Sequence, residues 1–143
     1  MATITAGSNM SVSYDSGTDL LTISTDMLFA NNTYTPTLTG VTNVAGTTAY
    51  ASQYLRIGST VTVSGKLDVD PTLTVLTQVG ISLPIASNIS SPEQIAGTAF
   101  SPDIVSLGGA ILGDATNNRA ELNYVTTSLA NQSLYFTFTY RIV

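Results

Sequence analysis

The stretch Tyr54-Leu55-Arg56-Ile57-Gly58-Ser59-Thr60-Val61-Thr62-Val63-Ser64-Gly65 decides the fold. Two alternating runs flank the pair Gly58-Ser59. Glycine adopts positive φ without steric cost, as the first central position of a type II′ turn requires, so the pair predicts a two-residue hairpin. Beyond the turn, Val61, Val63, Leu67 and Val69 fall on one face of a strand. Thr60, Thr62, Ser64, Lys66, Asp68 and Asp70 fall on the other. A period of two held over about ten residues is the pattern of a half-buried antiparallel strand.

The same alternation recurs downstream. Leu134, Phe136, Phe138, Tyr140 and Ile142 form a core face, with Tyr135, Thr137, Thr139 and Arg141 opposite. Ala120, Leu122 and Tyr124 oppose Glu121 and Asn123. Before them, Asn117-Asn118 fits a tight turn, because Asn tolerates left-handed φ. No segment carries a helical period, and Gly, Asn-Asn, Asp-x-Gly and Pro clusters arrive about every ten residues. The spacing predicts an all-β, antiparallel β-sandwich. Strands are expected near 2–5, 10–14, 19–25, 34–39, 50–57, 60–70, 73–82, 95–101, 104–113, 119–127 and 133–142.

Composition narrows the function. At 143 residues the chain reads as one domain with room for an arm, and is long enough to bury a core. It has no cysteine, so disulfides and thiolate chemistry are excluded, which fits assembly in a reducing cytoplasm. It has no histidine, which removes the commonest general base and metal ligand. Charged residues make up only 9% of the chain, against about 25% in an average soluble domain. A surface so poor in charge is weakly protected against association, so a permanent homo-oligomer or a place on a larger particle is expected. A net charge of −5, with Arg56, Lys66, Arg119 and Arg141 as the only bases, argues against nucleic acid and against an acidic membrane surface. Met1–Gly7 has no basic leader or apolar core of a signal peptide, and no run approaches the ~20 apolar residues of a membrane span.

Residues 1–33 read as an N-terminal arm, with Asn31-Asn32-Thr33 as the join, and residues 34–143 as the main domain. The alternative is that the early strands belong to the same sandwich. Residues 84–103, with Pro84, Pro92 and Pro102, are the least regular part. Prolines limit ladder donors, so this stretch is expected to be an exposed loop or a crossover packed on the sandwich.

The chain resembles the short β-domains of bacteriophage fibre and head-spike proteins. The residues that carry the resemblance are Tyr34-Thr-Pro-Thr-Leu38, the aromatic-x-Arg-x-Gly hairpin at Tyr54–Gly58 and Val61-Thr-Val-Ser-Gly65. Ile81-Ser-Leu-Pro84 and the aromatic strand Leu134–Ile142 complete the set. It covers roughly residues 34–143. The resemblance implies a virion protein made of jelly-roll-like domains, usually a homotrimer, assembled in the host cytoplasm. By the same resemblance residues 1–33 would anchor it to the particle, with the major capsid protein as a partner.

Few residues invite chemistry. Asp68 and Asp70 stand on one strand face, about 7 Å apart at the ~3.3 Å rise of a strand, a spacing that suits a calcium ion or a pair of sugar-hydrolase carboxylates. Both lie in a run that reads as solvated, so a plain surface strand is the expectation. Ser64 and Lys66 share a face, as alternation alone would place them. Leu107-Gly-Gly-Ala-Ile-Leu-Gly113 lacks the Lys-Ser/Thr ending of a phosphate loop and reads as a buried strand where backbones approach closely, near a symmetry axis. Asn-x-Ser/Thr triplets at Asn9, Asn31, Asn88 and Asn131 are what chance gives in so Ser- and Thr-rich a chain. Tyr34 and Tyr50 are candidates to stack on sugar rings, although both read better as structural. Arg56, the residue that the fibre-like motif carries over, is expected to pair with a carboxylate such as Glu121 across a subunit boundary.

No catalytic, cofactor-binding or metal site is expected, and no enzymatic activity. Two functions remain. One is a structural virion protein, a capsid decoration or head-fibre protein on the particle surface. The other is the receptor-binding tip of a tail fibre or spike that recognises host surface glycans.

Overall fold

The computed structural model describes residues 10–25 and 29–143. The hairpin at Gly58-Ser59 is present, with Gly58 at φ 60° and Ser59 outside the left-handed region, as a type II′ turn requires. It joins β6 (Ser52–Ile57) to β7 (Thr60–Pro71). The other strands are β1 (Met10–Asp15), β2 (Leu20–Thr25), β3 (Phe29–Tyr34), β4 (Leu38–Thr42), β5 (Val44–Ala49) and β8 (Leu76–Ile81). They continue with β9 (Ile95–Phe100), β10 (Gly108–Asp114), β11 (Arg119–Val125) and β12 (Gln132–Arg141). Among the described residues the only helix is a 3-10 turn at Pro92–Gln94. The all-β, antiparallel expectation holds.

The layers of the expected sandwich are joined in one sheet. Ten strands run in the order β3-β6-β7-β12-β9-β10-β11-β8-β4, with β5 also on β7, and the sheet curls into a half-barrel. β6 and β5 share one side of the long strand β7, β6 along Thr60–Ser64 and β5 along Leu67–Pro71. β4 and β5 are separated only by Asn43, so the strand at one end of the path is carried back to β7. Asn43 has φ 60°, a conformation that Asn adopts more readily than other side chains because its short amide bonds locally. β1 and β2 pair with each other as a separate hairpin.

Inside the curl, Val61, Val63, Leu67 and Val69 of β7 meet Leu134, Phe136, Phe138 and Tyr140 of β12. Val79, Ile81, Ile95, Ile111, Ala120, Leu122 and Tyr124 complete the core, and all are buried. The three alternating faces read from sequence point inward as expected; Ile142 is only partly buried. Within the stretch with three prolines, β9 separates Pro102, in the connection to β10, from Pro84 and Pro92, in the crossover that packs near the end of β12. Ile89 is buried there, Tyr140 donates to the Ile85 carbonyl at 2.7 Å, and Ser87 donates to the Arg141 carbonyl at 2.9 Å.

Several elements differ from the sequence reading. Asn31–Thr33, read as a join, lies within β3 and pairs with Leu55–Gln53, so a boundary between residues 33 and 34 cuts through a strand. Its polar side chains fit because β3 ends the path and half its surface faces solvent. β5 has no expected counterpart, because Val44-Ala-Gly-Thr-Thr-Ala49 offers no large apolar alternation. The strand expected at 73–82 starts only at Leu76, and the one at 104–113 only at Gly108. The expected strand 2–5 lies outside the described residues.

Candidate functional site

Strand register sets what shares the outer face. Thr60, Thr62, Ser64, Lys66 and Asp68 of β7 point away from the core, as their alternation dictates. Register places Thr33, Gln53, Ser64, Thr137 and Thr98 in one row across β3, β6, β7, β12 and β9. The next row holds Lys66, Tyr135 and Phe100, and the row after it Asp68 and Ser133. A hydroxyl and amide row therefore runs beside an aromatic one.

The two aromatic side chains are exposed and adjacent. Phe100 is 60% exposed and Tyr135 44%, and their rings stack with centroids 6.3 Å apart and planes 27° from parallel. Beside them lies an open groove of about 510 Å³, lined by Gln53, Ser64, Lys66, Thr98, Tyr135 and Phe100 among others. Gln53, Ser64 and Thr98 make no side-chain hydrogen bond to any described residue, so their polar groups face solvent ready to bond. Thr137 donates to the Val63 carbonyl at 2.9 Å.

A polar cluster closes one side of this face. Asp68 accepts from the Tyr50 hydroxyl at 2.6 Å and from the Ser133 hydroxyl at 2.8 Å, and pairs with Lys66 at 3.2 Å. The Lys66 ammonium also lies 4.3 Å from the centre of the Tyr50 ring. Burial works to raise the Asp68 pKa, but the bonds from Tyr50, Ser133 and Lys66 outweigh it and hold the carboxyl below its ordinary value. The hydrogen bond to Asp68 raises the Lys66 pKa, so that side chain stays an ammonium. Asp68 is thus ionised, and both of its oxygens accept hydrogen bonds. Such a group does not supply the proton of a general acid near neutral pH.

The other residues singled out from sequence fall as follows. Asp70 shares the face with Asp68 but bonds to Asn131 at 2.7 Å, so separate partners hold the two carboxylates. Among the described residues no three His, Cys, Asp or Glu side chains converge on a metal position. Arg56 is half-buried and donates to the Gly58 carbonyl at 2.7 Å, bracing its own hairpin. Glu121 instead accepts from Gln78 at 3.0 Å on the outer face of β8 and β11, so within one chain Arg56 and Glu121 do not meet. Tyr34 is partly buried, stands edge-on to Tyr54 and donates to the Ser82 carbonyl at 3.2 Å. Tyr50 does reach the site, through Asp68. The glycine-rich stretch forms β10, which is half exposed rather than buried, although a side chain at Gly109 would come within 2.8 Å of the Asn123 carbonyl, the close approach expected of it.

Sequence pattern alone does not mark Phe100, Tyr135 or Ser133 as site residues. Tyr135 was legible as an outward residue of its strand. Its pairing with Phe100 depends on β9 lying beside β12, which alternation within either strand does not encode.

The sequence matches no protein-family model and no curated protein. The crystal structure of a reovirus attachment protein, sigma1, in complex with alpha-2,3-sialyllactose is similar in backbone course, with a TM-score of 0.49 and 10% sequence identity. The similarity covers 99% of this chain and 79% of that one. No helix among the described residues is long and apolar enough to cross a membrane.

Proposed function

We propose that this chain is a structural protein of a bacteriophage particle, a capsid decoration or head-fibre protein assembled as a homotrimer. The observation that supports the assembled state in this reading is the apolar end of the half-barrel, and the particle and the three-fold symmetry rest on the fibre-like sequence motifs. The connections 72–75, 101–107 and 126–131 all lie at the end where β7 finishes and β12 begins. They and the adjoining strand ends expose Leu73, Val75, Leu76, Val105, Val125 and Leu129, with Val105 94% exposed. Leu76 and Val125 are direct cross-strand partners, and the Thr126 N–H donates to the Val75 carbonyl, so at least these side chains are neighbours. In a chain with 9% charged residues, such a cluster is more consistent with burial against other chains than with a solitary monomer.

The chain enters the sheet at the opposite end, where Phe29 pairs with Ile57 beside the Gly58-Ser59 hairpin. The point where the chain enters β3 and the apolar association surface are then at opposite ends of the domain. The anchor is assigned to the residues before β3, within the arm 1–33. The reading assigns no catalytic activity. Mass photometry at micromolar concentration tests the oligomer, and a 14.9 kDa species would overturn it. Deleting residues 2–27 tests the anchor: loss of binding to purified capsids with the oligomer retained is expected. Full occupancy by the truncated protein would remove that assignment.

A second reading is favoured by the outer face: a receptor-binding tip that grips host surface glycans. Its support is the exposed Phe100–Tyr135 ring pair beside a row of hydrogen-bonding side chains, three of which have no partner among the described residues. Saturable adsorption of the purified protein to host cells, competed by host polysaccharide, supports this reading, and absence of adsorption removes it.

A further inference from the structure

We infer that the groove between the Gln53–Ser64–Thr137–Thr98 row and the Phe100–Tyr135 rings is a subsite for a neutral hexopyranose unit of an oligosaccharide. The inference rests on the receptor-binding reading and specifies its site and ligand class.

Three observations lead to that ligand. First, Phe100 and Tyr135 are a direct cross-strand pair on the outer face, and each Å² of their exposed apolar surface that a ligand covers gains about 25 cal/mol. A pyranose presents a face of polarised C–H groups, which the negative face of an aromatic ring attracts. Second, one row away stand polar groups matched to the hydroxyl rim of the same sugar. Gln53 offers a carbonyl and an amide, and Ser64 and Thr98 offer hydroxyls that donate or accept. Adjacent rows are about 7 Å apart along a strand at ~3.3 Å per residue, the width of one sugar ring. Third, the charge beside the groove is already balanced. Lys66 is neutralised by Asp68 and covered by the Tyr50 ring, and Arg141 lies at the far end of β12, opposite Thr60. Among the described residues of the groove no cation is left over to recognise a carboxylate or sulfate, so the complementary ligand is uncharged.

The competing occupant of this face is a second copy of the chain. It is less well matched, because an interface core is depleted of unpaired polar groups and this groove is lined by them.

The test uses the full-length protein in its native oligomeric state. Saturation-transfer NMR and titration calorimetry are run against neutral oligosaccharides built from glucose, galactose or N-acetylglucosamine, and against carboxylated and sulfated counterparts. Saturable binding of a neutral member is expected. Phe100→Ala with Tyr135→Ala should weaken it at least about tenfold, the loss of roughly one stacking contact. Tyr135→Phe keeps the ring and should retain binding, while Gln53→Ala should weaken it with the rings in place. All of these side chains but Gln53 are outward aromatic groups, and circular dichroism confirms that each variant is folded. Unchanged affinity in the double alanine variant would overturn the site and leave the receptor-binding reading standing. Preference for the anionic sugars would overturn the ligand class. Binding to no glycan would remove both the site and the reading, and dissociation of the oligomer in the double variant would assign the face to self-association.

Discussion

The Asn43 side chain and the Leu73 backbone bond to each other twice. The Asn43 carbonyl oxygen accepts the Leu73 N–H at 2.6 Å, and the Asn43 amide donates to the Leu73 carbonyl at 2.7 Å. The same amide also donates to the Thr77 hydroxyl at 2.8 Å, and the Thr72 hydroxyl donates to the Asn43 carbonyl oxygen at 2.6 Å. One side chain thus ties the corner between β4 and β5 to the corner between β7 and β8. Those two corners are where the curled sheet meets itself. Asn43→Ala should therefore destabilise the fold by about 2–4 kcal/mol, from several lost hydrogen bonds and from loss of the polar side chain that lets Asn hold a left-handed φ. Asn43→Gly loses the same bonds but not the backbone fit, so it should be less damaging by about 1 kcal/mol. Urea denaturation of both variants checks this; equal stability with the parent would remove Asn43 from its role.

A second closure depends on what is missing at residue 65. A Cβ on Gly65 would collide with the Ser52 hydroxyl and lie 2.9 Å from Cζ of Phe136. Ser52 and Phe136 are both buried, so neither moves aside freely. Gly65→Ala should destabilise by about 1–3 kcal/mol through overpacking. Adding Ser52→Gly should return part of that loss, because it removes the nearer obstacle. The thermal midpoints of the single and double variants measure the recovery, and a double variant no better than Gly65→Ala would place the clash elsewhere.

These two positions also show what the sequence disclosed. Val61, Val63, Leu67 and Val69, and the aromatic run from Leu134 to Tyr140, announce their faces because burial on one side of a strand imposes a period of two. The Gly58 turn was legible because few residues accept its φ. β5 was hidden because Ala45, Gly46 and Ala49 carry no alternation to detect, and β3 because an edge strand tolerates Asn31-Asn32-Thr33. Asn43 looked like any loop residue, since its partners Thr72, Leu73 and Thr77 lie some thirty residues away. The candidate site was divided in the same way. Lys66, Asp68 and Tyr50 were visible as residue types, whereas the Phe100–Tyr135 platform exists only once β9 and β12 are neighbours.

Acid should weaken the turn between β10 and β11. Asp114 accepts from the backbone of Thr116 and Asn117, from the Asn117 amide at 2.7 Å and from Arg119 at 2.8 Å. Partial burial pushes its pKa up, but the bonds from Asn117 and Arg119 outweigh it and hold the carboxyl below its ordinary 3.8. Asp68 is lowered in the same sense. A carboxyl with a depressed folded pKa contributes stability that is full above its unfolded value and lost as pH falls through the folded one. Stability should therefore be level down to about pH 4 and decline below it. Asp114→Asn should be less stable at pH 7 by about 1–3 kcal/mol and show a shallower acid decline. An unchanged acid profile in that variant would mean that Asp114 has no part in it.

Alkali should act through the buried tyrosines. The Tyr124 hydroxyl is buried beside Thr77 but makes no hydrogen bond of good geometry among the described residues, and desolvation outweighs the lowering by Thr77 and pushes its pKa up to about 12. Desolvation also raises Tyr140 to about 12, although its hydroxyl donates to Ile85. In the unfolded chain these phenols ionise near 10. A group whose folded pKa is raised contributes stability that is full below the unfolded pKa and lost as pH rises through the folded one. Stability should accordingly fall between pH 10 and pH 12. Tyr124→Phe removes an unpaired buried hydroxyl while keeping the ring, so at pH 7 it should be neutral or stabilising, by up to about 1 kcal/mol. The variant should also lose stability less steeply above pH 10, because one ionisation of the unfolded state is gone. Tyr140→Phe is the contrasting case, since it breaks the bonds to Ile85 and should be destabilising at pH 7. Denaturant midpoints at pH 7 and across pH 9–12 separate the two; a Tyr124→Phe protein clearly weaker than the parent at pH 7 would show that the hydroxyl has a partner after all.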